Sequence, residues 1–117
     1  MFFLSGPRQV GKTTTARSAA QKLYKNWAYL NWDDKDHREI ILKGPKAIID
    51  FANIEVASTE KPMIILDEIH KYVDWKNFLK GLFDTYQKKA NFIIILQYIL
   101  LITNYLNLVF LWYLKQF

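Results

Sequence analysis

Short apolar runs alternate along the chain with longer amphipathic stretches, and the two kinds of segment predict strands and helices in turn. Residues 2–5 read as a buried strand that runs into a glycine-rich turn. Over 12–25 the composition is helical, with Ala16, Ala19, Ala20 and Leu23 at helical spacing. A second strand is predicted over 27–32, closed by the acidic run Asp33-Asp34-Lys35-Asp36. Asp36 is placed to cap a helix over 36–43, which Gly44-Pro45 breaks. Pro45 opens another helix over 45–54, with Ile48, Ile49 and Phe51 as its apolar residues. After Pro62, Met63-Ile64-Ile65-Leu66 forms a buried strand that ends in two acids. Asp74 is placed as the N-cap of a helix over 75–89, where Phe78, Leu79, Leu82, Phe83 and Tyr86 share a face, and 92–96 is a fourth strand. Strands alternating with helices predict an α/β fold of three layers, with a parallel sheet of about four strands between helices.

The last twenty residues leave this pattern. Residues 92–114 carry no charge, a stretch long enough to span a bilayer. With 92–96 assigned to a strand, 97–114 remain, and Gln97, Thr103, Asn104 and Asn107 fall within about a third of a helix circumference at ~100° per residue. A helix with one polar stripe and a membrane span both satisfy that pattern. The division expected is therefore a partial core over 1–96 and a hydrophobic tail over 97–117, divergent or membrane-seeking.

Composition narrows the function classes. A length of 117 residues allows one domain, and 51% hydrophobic with 16% aromatic residues argues against disorder. The absence of cysteine removes disulfides, thiolate metal sites and cysteine nucleophiles together. A net charge of +5 permits an acidic partner, but the lysines are scattered, with only Lys88-Lys89 adjacent, and read as solvated surface. A nucleic-acid-binding role rests on net charge alone. Met1-Phe2-Phe3-Leu4 has no basic flank and is too short for a signal peptide, so a cytoplasmic location is expected.

The chemistry is concentrated in two motifs. Gly6-Pro7-Arg8-Gln9-Val10-Gly11-Lys12-Thr13 matches G-x-x-x-x-G-K-[ST] between a strand and a helix. Gly6 and Gly11 let the backbone turn so that consecutive N–H groups point at phosphate oxygens, and the following helix adds its positive end. Lys12 would bridge the β- and γ-phosphates of ATP, Thr13 would ligate Mg²⁺, and Thr14 would complete the cradle. Arg8 faces either nucleotide or solvent. The second motif is Met63-Ile64-Ile65-Leu66-Asp67-Glu68. Asp67 would hold Mg²⁺ through its water shell, and Glu68 would orient the water that attacks the γ-phosphate.

The runs Leu4-Ser5-Gly6-Pro7-Arg8-Gln9-Val10-Gly11-Lys12-Thr13-Thr14, Leu30-Asn31-Trp32-Asp33-Asp34 and Leu66-Asp67-Glu68-Ile69-His70-Lys71, with Trp75-Lys76 and Leu79-Lys80, resemble one group of proteins. These are the prokaryotic AAA-type ATPases whose P-loop domain precedes a C-terminal domain of unknown function. The resemblance covers residues 2–93 and implies Mg-ATP binding and hydrolysis in a cytoplasmic protein. It also implies a stretch before the first strand, a Thr-Gly-Ser-type turn after the fourth, an arginine finger, a fifth strand and a C-terminal domain. Here Gln97 is the one candidate for the polar sensor after the fourth strand. The first strand is then expected at an edge of the sheet, and the expectation is a truncated or frame-disrupted copy. Without an arginine finger, slow turnover is expected. The rival reading is a non-catalytic remnant whose tail drives aggregation or membrane association.

Asp67-Glu68-Ile69-His70 also fits the Asp-Glu-x-His pattern of some helicases, which need more chain than this. His37 and His70 are expected to be polar surface residues, and Asp33, Asp34 and Asp36 a solvated acidic loop. Trp75, Phe78 and Phe83 are expected to pack on the core.

Overall fold

The computed structural model describes residues 2–6, 11–52 and 61–97. The elements follow in the order β1 (Phe2–Gly6), α1 (Lys12–Leu23), β2 (Trp27–Asn31), α2 (Lys35–Lys43), α3 (Pro45–Ala52), β3 (Met63–Asp67), a 3₁₀ turn (Ile69–Lys71), α4 (Trp75–Tyr86) and β4 (Asn91–Gln97). The four strands form one sheet in the order β1-β4-β3-β2, every pair parallel. This is the α/β parallel arrangement that the alternation of segments predicts. Among the described residues, β1 pairs only with β4.

Side chains alternate across a strand, so the period of two divides the sheet into two faces. Ala28, Leu30, Ile64, Leu66, Phe92, Ile94 and Leu96 share one face, where they pack with Ile41 of α2, Ile48, Ile49 and Ala52 of α3, Ile69, and Leu79 and Leu82 of α4. The opposite face presents Leu4, Trp27, Tyr29, Met63, Ile65, Ile93 and Ile95 to Ala16 and Ala20 of α1. Two alanines at that contact let the helix backbone lie close to the sheet. Every residue of β3 is buried, which explains why its sequence is a continuous apolar run rather than an alternation.

Helix boundaries depart from the sequence expectation at particular points. Asp34, not Asp36, caps α2: its Oδ1 accepts hydrogen bonds from the backbone N–H of Asp36 (2.9 Å) and His37 (3.2 Å). The turn closed by the Asp34 N–H on the Asn31 carbonyl (3.0 Å) brings Asp34 to the helix start two residues early. Asp36 then sits in the first turn, where its charge meets the positive helix end. Gly44 ends α2 at φ 108°, a conformation costly for any side chain, and Pro45 opens α3 as expected. The end expected for α3 near residue 54 lies outside the described residues. α4 stops at Tyr86 rather than 89, because the Tyr86 carbonyl takes both the Lys89 and Ala90 N–H groups and turns the chain into β4. Leu23, aligned with the alanines of α1, is 75% exposed.

Candidate functional site

In a parallel sheet the carboxyl ends of the strands face one side, and here the N-terminus of α1 lies there too. Gly11 precedes α1 in the left-handed conformation, at φ 74° and ψ 19°, which a residue with a Cβ adopts only with strain. Among the described residues no side chain caps this helix start and the first turn contributes no acid of its own. Lys12 reaches across to β4, where its ammonium donates to the Leu96 carbonyl at 2.9 Å. One residue on, the Thr13 hydroxyl donates to Oδ2 of Asp67 at 2.6 Å, across 54 positions of sequence. Thr14 follows on the exposed side of the helix.

Asp67 belongs by its parity to the face under α1, one step beyond Met63 and Ile65. It is 4% exposed, and its Oδ2 takes a second hydroxyl, that of Tyr29 on β2, also at 2.6 Å. Asn31 donates in turn to the Tyr29 oxygen at 3.2 Å. Burial, with the Asp67 carboxylate beside it, pushes the Tyr29 phenol far above its ordinary pKa, so it remains a donor throughout the usable pH range. Arg17 of α1 lies over the Tyr29 ring at 4.7 Å. Neither Tyr29 nor Asn31 was singled out as a site residue on sequence. The signal was present in the period of two, since 27, 29 and 31 alternate in step with 63, 65 and 67, and polar atoms at such inward positions need partners.

Glu68 leaves β3 in the left-handed region, at φ 60° and ψ 21°, with its N–H on the Ile95 carbonyl at 3.2 Å. A non-glycine residue there is uncommon. Its carboxylate Oε2 lies 2.9 Å from the Lys71 ammonium and 3.8 Å from Nε2 of His70. The same ammonium donates to both oxygens of Asp33, at 2.9 and 2.8 Å. Hydrogen bonding first to Asp33 and then to Glu68 raises the Lys71 pKa. Burial is the main cause lowering that of His70.

The structure thus brings Lys12, Thr13 and Asp67 together, with Glu68 following Asp67. Gly6 closes β1, in backbone register with Gln97 at the end of β4, while Pro7, Arg8, Gln9 and Val10 lie outside the described residues. The tail over 98–117 lies outside them as well. His70 requires correction, since its side chain is not at the surface, whereas His37 keeps a quarter of its side chain exposed. The His70 side chain is 7% exposed, and His37 Nδ1 accepts the backbone N–H of Asn31 at 3.0 Å. His70 is drawn inward by the 3₁₀ turn that follows β3. The acidic loop is exposed as expected, and within it Asp33 pairs with Lys71 and Asp34 caps α2. Trp75 and Phe78 pack against the larger core as expected. Among the described residues, no group of three or more His, Asp or Glu could hold a metal, and no helix is long and apolar enough to cross a membrane.

Two comparisons bear on identity. The chain is 36% identical over 107 residues to a protein named replication factor C subunit 2 from Oryza sativa subsp. japonica. That alignment takes in 80% of this chain and 31% of the relative, so the chain spans about a third of the relative's length. A family model described as an AAA domain matches residues 1–96, from the strand before Gly6 to the carbonyl that Lys12 holds. With most of its length under that match, the chain belongs to the AAA domain family.

Proposed function

We propose that the chain binds Mg-ATP between the N-terminus of α1 and the ends of β3 and β4, and hydrolyses it slowly. The observation that carries this reading is the 2.6 Å hydrogen bond from Thr13 to Asp67, which joins the two motifs expected to share a magnesium ion. A hydroxyl and a buried carboxylate side by side are hard oxygen donors of the kind Mg²⁺ takes, usually with several of its waters retained. Membership of the AAA domain family and the left-handed Gly11 at the helix start support the same reading. Gly6, Pro7, Arg8, Gln9, Val10 and Gly11 would wrap the phosphates with backbone N–H groups. Lys12, whose ammonium reaches the Leu96 carbonyl, would meet the β- and γ-phosphates. Thr13 and Asp67 would hold the ion, Thr14 would add to the cradle, and Glu68 would orient the attacking water. When bound, Mg²⁺ neutralises charge on the phosphates.

Slow turnover follows from the arginines. Of those described, Arg17 lies over Tyr29 and Arg38 over Trp32 at 5.7 Å, so neither is aimed at phosphate. A finger arginine is worth ~10³–10⁵ in rate. Homo-oligomerisation, a cytoplasmic location, membership of the prokaryotic group with a C-terminal domain, and a core over 1–96 followed by a hydrophobic tail form part of the same proposal.

Calorimetric titration with Mg-ATPγS, beside a Lys12→Ala variant, tests it. Saturable binding that the variant loses is the expected result. A folded chain that binds no nucleotide would overturn the reading in favour of the non-catalytic remnant.

A further inference from the structure

The ion pairs around Glu68 join two stretches distant in sequence. The loop after β2 supplies Asp33, and the turn after β3 supplies both Glu68 and Lys71. The Lys71 ammonium has three protons and meets three carboxylate oxygens, Asp33 Oδ1 and Oδ2 and Glu68 Oε2, all at 2.8–2.9 Å. The turn that carries it is itself fixed. Ile69 is wholly buried, the Lys71 N–H bonds back to the Glu68 carbonyl at 3.1 Å, and Tyr72 stacks on Trp32 at 4.7 Å and 15°. Asp33 and Lys71 are half and one-third exposed, whereas the Glu68 side chain is 20% exposed, so the tie runs from the surface inward to Glu68. Exposed ion pairs add little to stability, which makes a purely structural purpose for so well-aligned a tie a weak explanation.

We propose that Lys71, anchored by Asp33, is a positioning residue for Glu68. The inference rests on the reading of Glu68 as the group that orients the attacking water. Holding Oε2 fixes the side-chain rotamer, and no described residue is bonded to Oε1, the oxygen that would meet the water. A carboxylate ordered before the substrate arrives needs no reorganisation during the reaction. Lys71 therefore acts on the chemical step and leaves nucleotide affinity alone.

The test combines a spectroscopic readout with a rate. The ¹⁵N resonance of the Lys71 ammonium in the full chain is expected to shift in both Glu68→Gln and Asp33→Asn. Single-turnover hydrolysis of Mg-ATP is expected to slow by ~10–100-fold in Lys71→Met, with Mg-ATPγS affinity within about twofold and most of the rate restored in Lys71→Arg. An ammonium signal indifferent to Glu68→Gln overturns the inference. So does a Lys71→Met rate equal to or above that of the unmutated chain while Glu68→Gln is inactive. If Glu68→Gln hydrolyses as well as the unmutated chain, or if neither hydrolyses, the reading of Glu68 itself is overturned.

Discussion

The two faces of the sheet are built on different principles. One carries leucines, isoleucines and Phe92 against three helices and a 3₁₀ turn, and is filled by bulk. Among the described residues the other meets α1, through two alanines, and its outer positions are Trp27, Tyr29 and, at the strand end, Asp67. Close approach of the helix is what carries Lys12 to the Leu96 carbonyl and Thr13 to Asp67. The thick face stabilises the sheet, and the thin face places Lys12, Thr13 and Asp67. A helix held off by larger side chains could not put its first turn against the strand ends.

That contrast is best attacked where each face is most committed. Leu66→Ala removes a fully buried side chain from the thick face, and a loss of about 2–5 kcal/mol is expected in urea unfolding. At temperatures where this variant remains folded, it should bind Mg-ATPγS nearly as well as the unmutated chain. Tyr29→Phe on the thin face removes one of two hydroxyls from Asp67 Oδ2. It should cost ~1.5–3 kcal/mol and also weaken the Mg²⁺ dependence of nucleotide binding, read by titration at several Mg²⁺ concentrations. Ala20→Leu overpacks the α1 contact, with an expected cost of about 1–3 kcal/mol. Its sharper readout is affinity, because moving α1 withdraws Lys12 and Thr13 together. Equal effects of Ala20→Leu and Leu66→Ala on nucleotide binding would break the comparison.

The smallest effect expected lies away from both faces. The backbone N–H of His37 is the leading cause that holds the Asp34 carboxyl below the usual aspartate range. Since its folded pKa is depressed, the stability it contributes is present above the ordinary value and is lost as the pH falls through the lowered one. The difference in thermal midpoint between the unmutated chain and Asp34→Ala should therefore be present near neutral pH and shrink in acid below the ordinary aspartate range. Asp34→Asn, which still accepts hydrogen bonds, should retain most of the cap and lose the pH dependence.

Element order and type were legible because segment length and apolar pattern agree from Phe2 to Gln97. The parallel sheet followed from the strand–helix alternation alone. The proximity of Lys12, Thr13 and Asp67 was legible because a G-x-x-x-x-G-K-[ST] run and a strand ending in acids leave fixed spacings. The partners of those residues were not, for a physical reason in each case. Tyr29 meets Asp67 only once β2 and β3 are in register, with Asn31 opposite Asp67. Lys71 reads as one more scattered lysine until the turn after Glu68 folds it back on Asp33. Asp34 displaced Asp36 as cap through a turn that propensity does not encode, and His70 was drawn inward by a 3₁₀ turn that three residues cannot announce.

The register of β1 has a consequence in time. Phe3 lies opposite Ile94, and Leu4 opposite Ile95, about ninety positions further along the chain. At synthesis rates of roughly 5–20 residues per second, the first strand leaves the ribosome about 5–20 seconds before its pairing partner exists. During that interval, its apolar residues and the glycine turn beyond them have no sheet to join. β1 therefore joins the described sheet only once β4 is made, since β4 pairs with β3 on one side and β1 on the other. Contacts of such long range predict slow folding, and a nascent chain open to chaperone capture until Ile93, Ile94 and Ile95 emerge.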